Sequence, residues 1–150
     1  MRKVQGVGWK ALVVALILLV GATAGLGAAT FIYADGAAYL QNNPAACANC
    51  HVMREQYSGW LAGSHRAAAT CNDCHAEHTL VAKYITKARN GFWHSVRFTL
   101  DDFHEPIRIT ARNRRVTEGT CRHCHADVVD QIGHEGMDCI RCHRDVGHMH

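Results

Sequence analysis

The chain has 150 residues, a formal charge of +3 and 19% charged side chains, which allows one modest domain plus an appendage and leaves no case for a nucleic-acid partner. All eight cysteines fall in four copies of one pattern: Cys47-Ala-Asn-Cys50-His51, Cys71-Asn-Asp-Cys74-His75, Cys121-Arg-His-Cys124-His125 and Cys139-Ile-Arg-Cys142-His143. A disulfide framework would not require a histidine after every second cysteine, and neither would a closed tetrahedral zinc site. C-x-x-C-H is the attachment sequence of c-type haem. Two thiols three positions apart reach the two vinyl groups of one porphyrin, and the adjacent imidazole meets the iron from the same side.

Before the first motif, Ala11 to Ala34 form 24 consecutive residues without a charge. As a helix they extend ~36 Å, enough to cross a ~30 Å hydrocarbon core with some tilt. Arg2, Lys3 and Lys10 precede this run and Asp35 follows it. Positive residues stay on the cytoplasmic side, so the remainder is expected outside the inner membrane, in the periplasm. Trp9 and Tyr33 stand where interfacial aromatics belong. A cleaved leader is the competing reading, since Ala22-Thr23-Ala24 resembles a small-residue cleavage site. The apolar run continues past that point, which favours an uncleaved single-pass anchor.

The expected division is therefore 1–35, a cytoplasmic stub and anchor, and 36–150, a periplasmic domain with four haems. That domain has roughly 29 residues per haem, too few for an ordinary side-chain core. The expected class is all-α and haem-dominated, with porphyrins as the core. The first cysteines of successive motifs lie 24, 50 and 18 residues apart, giving two haem pairs, 47–75 and 121–143. A helix is expected over Arg54–Ala62. A longer one is expected over Leu80–Leu100, where Val81, Tyr84, Ile85, Ala88, Phe92 and Val96 follow a helical period, and Pro106 ends that region. Arg108, Arg112, Arg114 and Arg115 are candidates to pair with haem propionates or a partner surface, against the plainer reading of a solvated basic loop.

Fast electron transfer favours two axial ligands on each iron, because an open position invites ligand binding or chemistry. The motifs themselves offer His51, His75, His125 and His143 as proximal ligands. Of the remaining histidines, His65 and His148 lie too close in sequence to their neighbouring motifs to reach the far face of the haem attached there. Each is better placed to ligate a haem of another motif. His123 is a spacer within its motif. His78, His94, His104, His134 and His150 are expected at the surface or in packing. At the first motif, Met53 lies two residues past His51 and competes with it for the iron; a thioether ligand would raise the reduction potential.

An N-terminal anchor, then C-x-x-C-H-x-M, then Gly63-Ser64-His65 ahead of Cys71-Asn-Asp-Cys74-His75, then a terminal C-x-x-C-H-x-x-x-x-H-M together resemble the NapC/NirT family of quinol dehydrogenases. The similarity extends over nearly the whole chain and is strongest to the family's short four-haem members, which serve a cytochrome c nitrite reductase. The resemblance implies that Met53 ligates the first iron. It makes His75 the proximal ligand of the second, whose far side takes a lysine from the partner subunit. His125 and His143 become proximal ligands of the third and fourth, with His148 and His65 as their distal ligands, in that order. It further implies menaquinol as substrate and membrane lipid as surroundings. The expected partner is the pentahaem catalytic subunit of a nitrite reductase, with another terminal reductase as the alternative client. A tethered carrier without a quinol site is the remaining alternative. The family's quinol site uses a lysine and an acidic residue seven apart, here Lys83 and Asn90. Asparagine can hydrogen-bond a quinol hydroxyl but cannot take its proton, which leaves His94, one turn further on, as a candidate acceptor.

Overall fold

The computed structural model describes residues 3–133 and 136–149, without the side chains of residues 3–7 and 51. Arg2, His134, His150 and the side chains of Lys3 and His51 thus lie outside the described residues, together with the roles expected of them. The chain divides into two compact units, Met1–Ala37 and Ala38–His150.

The first unit is dominated by helix α1, Lys3–Tyr33. Its stretch Gly8–Tyr33 has a mean hydropathy of 2.4 and none of it is buried; it is long and apolar enough to cross a membrane. The Thr23 and Thr30 hydroxyls donate to the Leu19 and Leu26 carbonyls, both at 2.8 Å. Their polar atoms are thus satisfied inside the helix, as an apolar surrounding demands.

The second unit is helical, with no strand among the described residues. Its helices are α2 (Pro44–Cys47), α3 (Arg54–Ala62), α4 (Cys71–His75), α5 (Leu80–Thr99), α6 (Ala111–Cys124), α7 (Ala126–Ile132) and α8 (Cys139–Cys142). Helices α3 and α5 fall where the apolar period places them. Helices α6 and α7 were not expected, because the run Ala111–Thr120 is polar and carries little apolar period.

Capping residues explain where the motif helices begin. Asn43 Oδ1 accepts from the Ala45 amide at 3.0 Å, and Pro44 occupies the first helical position of α2, where its fixed φ suits the helix and no amide is missed. At α4, Asp73 accepts from the Thr70 amide and hydroxyl at 2.8 and 2.7 Å. Thr70 and Asp73 form a capping box that sets Cys71 at the first helical position. At α8, Asp138 accepts from the Arg141 amide at 3.1 Å. Glu118, reaching across from α6, accepts from the Cys139 and Ile140 amides at 2.9 Å each. Thr110 caps α6 through the Asn113 amide at 3.3 Å. The second and fourth motifs therefore open helices, whereas the first and third sit at or past helix ends.

The elements that carry the motifs pack in chain order: α2 on α4, α4 on α6, and α6 on α8. Thr120, buried at 5% exposure, ties two of them together by donating to the Cys74 carbonyl at 2.9 Å. The basic cluster is also partly committed within the chain: the Arg114 guanidinium grips both Asp138 carboxylate oxygens at 2.8 and 2.6 Å. Arg114 thus has a protein partner in place of the propionate or partner surface expected of it, and it braces the cap of α8.

Helix α5 turns its polar side inward. Thr86 and Lys87 are buried at 1% and 8% exposure, while Val81, Ile85 and Phe92 are 57–70% exposed. The apolar stripe that reveals the helix in the sequence is thus its outer face.

Candidate functional site

None of the eight cysteines forms a disulfide, and neighbouring motifs bring them together. Cys47 and Cys71 lie close enough for their side chains to interact. Cys74 lies within electrostatic range of Cys121 and Cys124, and Cys121 within range of Cys139. First motif lies near second, second near third, and third near fourth, so the four motifs follow one another through the fold.

The histidines are oriented by their second ring nitrogen. His65 Nδ1 lies 3.1 Å from the Val146 carbonyl, and His148 Nδ1 lies 2.8 Å from the Gln56 carbonyl. A carbonyl can only accept, so both Nδ1 atoms carry a proton, and Nε2 is the nitrogen left to meet a metal. Thr117 donates its hydroxyl to the Asn113 carbonyl at 3.1 Å and therefore accepts from His75 Nδ1, at 3.5 Å. Fixing one ring nitrogen so that the other can ligate is the usual support of a metal-binding imidazole. Burial, followed by the nearby His148 and His94, pushes His75 down to about 4, so it is neutral at pH 7, the form that binds iron.

Histidine rings from separate motifs stand near one another: His65 is edge-on to His125 with centroids 6.1 Å apart, and His148 lies 5.9 Å from His75. The C-terminal tail turns back along α3: the Met149 amide donates to the Gly59 carbonyl at 3.2 Å, and His148 is anchored on Gln56. His123 also does more than space its motif, since its ring stacks on His78 at 4.2 Å. That pair lines a cavity of about 570 Å³ shared with Glu77, Arg112 and Arg115.

Around the first motif, Lys83 and Asn90 are both half-buried and two helical turns apart, hence on one face of α5. Between them stands Lys87, which the sequence reading passed over. Its ammonium donates to the Gln41 carbonyl at 2.6 Å and approaches Asn42 Oδ1 at 3.4 Å. Asn72 from α4 binds the same two acceptors at 3.0 and 3.2 Å. Lys87 and Asn72 thus latch the loop that leads into α2 onto α5 and α4. Burial, then the charge of Lys83, hold the Lys87 ammonium below the usual lysine range, with the Cys47 side opposing. The signal available in sequence was its place on the 83–87–90–94 stripe. Met53 lies two residues past His51, at the end of the 3₁₀ turn His51–Met53, with its amide donating to the Cys50 carbonyl at 2.8 Å.

The chain was compared with known proteins. A family model described as the NapC/NirT cytochrome c family, N-terminal region, matches residues 9–150. The chain belongs to the NapC/NirT cytochrome c family. Among individual members of that family, it is 37% identical over 125 residues to the cytochrome c-type protein NrfH of Wolinella succinogenes, covering 73% of this chain and 71% of that one. It is 33% identical over 135 residues to the cytochrome c nitrite reductase subunit NrfH of Nitratidesulfovibrio vulgaris, covering 89% and 83%. The cytochrome c-type protein NapC of Escherichia coli K12 is 30% identical over 132 residues, covering 68% and 66%. A crystal structure of a cytochrome c nitrite reductase NrfHA complex bound to the HQNO inhibitor superimposes with a TM-score of 0.67 at 30% identity, covering 89% of this chain and 90% of that one.

Membership of the NapC/NirT family makes this a membrane-anchored cytochrome with covalently bound haem. The residues present fit that group. Paired cysteines outside any disulfide, histidines held through Nδ1, and a second unit whose buried apolar residues are Ala38 and Ala76 among the described residues suit a domain that packs on porphyrin.

The Glu118 cap carries an expected result of its own. Glu118→Ala leaves the Cys139 and Ile140 amides without their acceptor, and hydrogen bonds to a charged group contribute roughly 1.5–3 kcal/mol. The variant should be less stable by about 2 kcal/mol in a guanidinium titration, with less covalently bound haem by mass spectrometry. An unchanged midpoint would show that the carboxylate is dispensable there.

Proposed function

We propose that this chain oxidises menaquinol at the outer face of the inner membrane and delivers the electrons to a periplasmic nitrite reductase. In this reading residues 1–35 form the cytoplasmic stub and anchor, and residues 36–150 lie in the periplasm with four haems at the four motifs. When bound, haem supplies one-electron carriers. The chain's own task is to hold them in sequence, beginning beside the polar stripe of α5. The observation that carries this reading is the packing of α2, α4, α6 and α8 in chain order, together with the likeness to NrfH over most of both chains.

The residues divide the work. The eight cysteines attach the haems; Met53 or His51 serves the first iron, and His75, His125 and His143 serve the others. His65 and His148 supply distal imidazoles, and a lysine of the partner completes the second site. Lys83 and Asn90 hydrogen-bond the two ends of a quinol hydroxyl face, with Lys83 favouring the developing negative charge on oxygen.

Lys83→Leu should lower quinol-driven nitrite reduction about tenfold, the equivalent of ~1.4 kcal/mol of transition-state stabilisation. The haem spectrum and dye-driven nitrite reduction should be retained. Unchanged quinol-driven turnover would remove Lys83 from the mechanism. The similarity to NapC favours one second reading, in which the same quinol chemistry serves another terminal reductase. Co-purification from native membranes separates the two, because a multihaem nitrite reductase should accompany the chain in the first case only.

A further inference from the structure

Tyr39 lies six residues past the end of α1, in the 3₁₀ turn Gly36–Leu40. Its hydroxyl is 2.9 Å from His94 Nδ1 on α5. The phenol ring packs on the helix where Gly91 leaves room, since a Cβ there would lie 3.3 Å from the ring. Tyr39 also lies within electrostatic range of Cys47 and Cys50, so the pair borders the first haem-attachment site. His94 stands one turn beyond Asn90 on the stripe that begins at Lys83. From these contacts we infer that Tyr39 and His94 form a proton relay that takes the place of the carboxylate missing at Asn90. This rests on the quinol-dehydrogenase reading above and deepens it.

The chemistry balances as follows. Quinol gives quinone, two electrons and two protons, and the electrons pass singly to haem iron as ferric becomes ferrous. As each O–H bond of quinol breaks, its proton goes to the Tyr39 oxygen while the Tyr39 proton moves to His94 Nδ1. Tyr39 ends neutral and His94 ends as imidazolium. His94, which reaches solvent, then releases the Nε2 proton to water, and water-mediated transfer of the remaining proton from Nδ1 back to Nε2 restores the starting tautomer for the second proton.

Protonation tendencies agree with these roles. Burial, with Cys50 and Cys47 adding to it, pushes the phenol up to about 12, so Tyr39 conducts a proton without becoming an anion. Burial and then Arg97 hold His94 below the usual histidine range, so it is neutral and receptive at pH 7. The charged or titratable groups facing the pair are Arg97 on α5, His75 on α4 and, on α2 and its following turn, Cys47 and Cys50. Those two cysteines are thioethers once haem is attached.

The test uses the membrane-embedded haem-loaded complex and three variants: His94→Gln, Tyr39→Phe and the double. Two readouts are needed, the pH profile of quinol oxidation and the binding of HQNO followed by its fluorescence quenching. His94→Gln should lower the rate at saturating quinol about tenfold and abolish the acid limb of its pH profile, with HQNO affinity within about twofold of the parent. Tyr39→Phe should fall similarly, and the double variant no further than the worse single one, as expected of groups acting as a unit. An unaltered acid limb in His94→Gln, or additive losses in the double variant, overturns the relay. Loss of HQNO binding with an intact limb also overturns it, by showing a structural role alone. A parent complex that neither binds HQNO nor oxidises quinol sinks the functional reading beneath it instead.

Discussion

Gly59→Val should strip one haem of its low-spin character and lower stability by about 2 kcal/mol. A Cβ at Gly59 would stand 2.8 Å from the Met149 carbonyl oxygen and 3.3 Å from the His148 Cα. Both neighbours are backbone, so neither can swing aside as a flexible side chain would. The C-terminal tail must lift from α3, and the hydrogen bond from His148 Nδ1 to Gln56 goes with it. Overpacking of this kind costs roughly 1–3 kcal/mol, and the imidazole is no longer held where an iron can use it. Gly119→Ala is the contrast, because a Cβ on that α6 glycine meets nothing within 4 Å. Alanine there should be neutral or stabilising by up to about 1 kcal/mol. Electron paramagnetic resonance on the two oxidised variants checks both: a new high-spin signal in Gly59→Val and none in Gly119→Ala. A low-spin spectrum in Gly59→Val would show that His148 ligates no iron.

His65→Met should raise the potential of a single haem by on the order of 0.1 V, set against the ~0.8 V that axial ligands span in haem proteins. His65 is held by the Val146 carbonyl and Ser64 Oγ at 3.1 and 3.2 Å, on the 3₁₀ turn Ser64–Ala67. Thioether sulfur stabilises ferrous over ferric iron relative to imidazole, hence the sign. In a row of carriers, one site made more oxidising becomes an electron trap. Quinol-driven turnover should therefore fall while the fraction of haem reduced at steady state rises. A spectroelectrochemical titration reads the shift directly. Four potentials identical to those of the parent protein would exclude His65 from the ligand set.

Much of the chemistry is local, and so it is legible without a structure. The repeated C-x-x-C-H runs point to covalently bound haem, and the uncharged run Ala11–Ala34 points to the anchor. Helices α3 and α5 follow from apolar periodicity. Helix α6 does not, because it packs through Thr117 and Thr120 on α4 and carries Arg and Glu where a core helix would carry Leu. Its available signal was Thr110 as a cap, followed by eight residues without Gly or Pro. Lys87 is not legible in the sequence because a lysine between the polar stripe positions Lys83 and Asn90 looks solvated; only the fold brings the Gln41 carbonyl to it. The neighbours of His65 and His148 depend on the tail folding back over Gly59, a contact between residues some 90 positions apart that no spacing rule contains. The same holds for Tyr39 and His94, which lie 55 positions apart in sequence.

The central claim is that quinol enters at the first motif and its electrons leave through the other three to a partner. Anaerobic stopped-flow spectroscopy of native membranes tests it most directly, with a reduced menaquinol analogue as the sole donor. Haem absorbance should show reduction within the enzyme's turnover time, HQNO should block it, and nitrite should reoxidise the haem only when the reductase is present. Haem that stays oxidised under quinol yet is reduced by a water-soluble dye would contradict the account, leaving a tethered carrier with no quinol site.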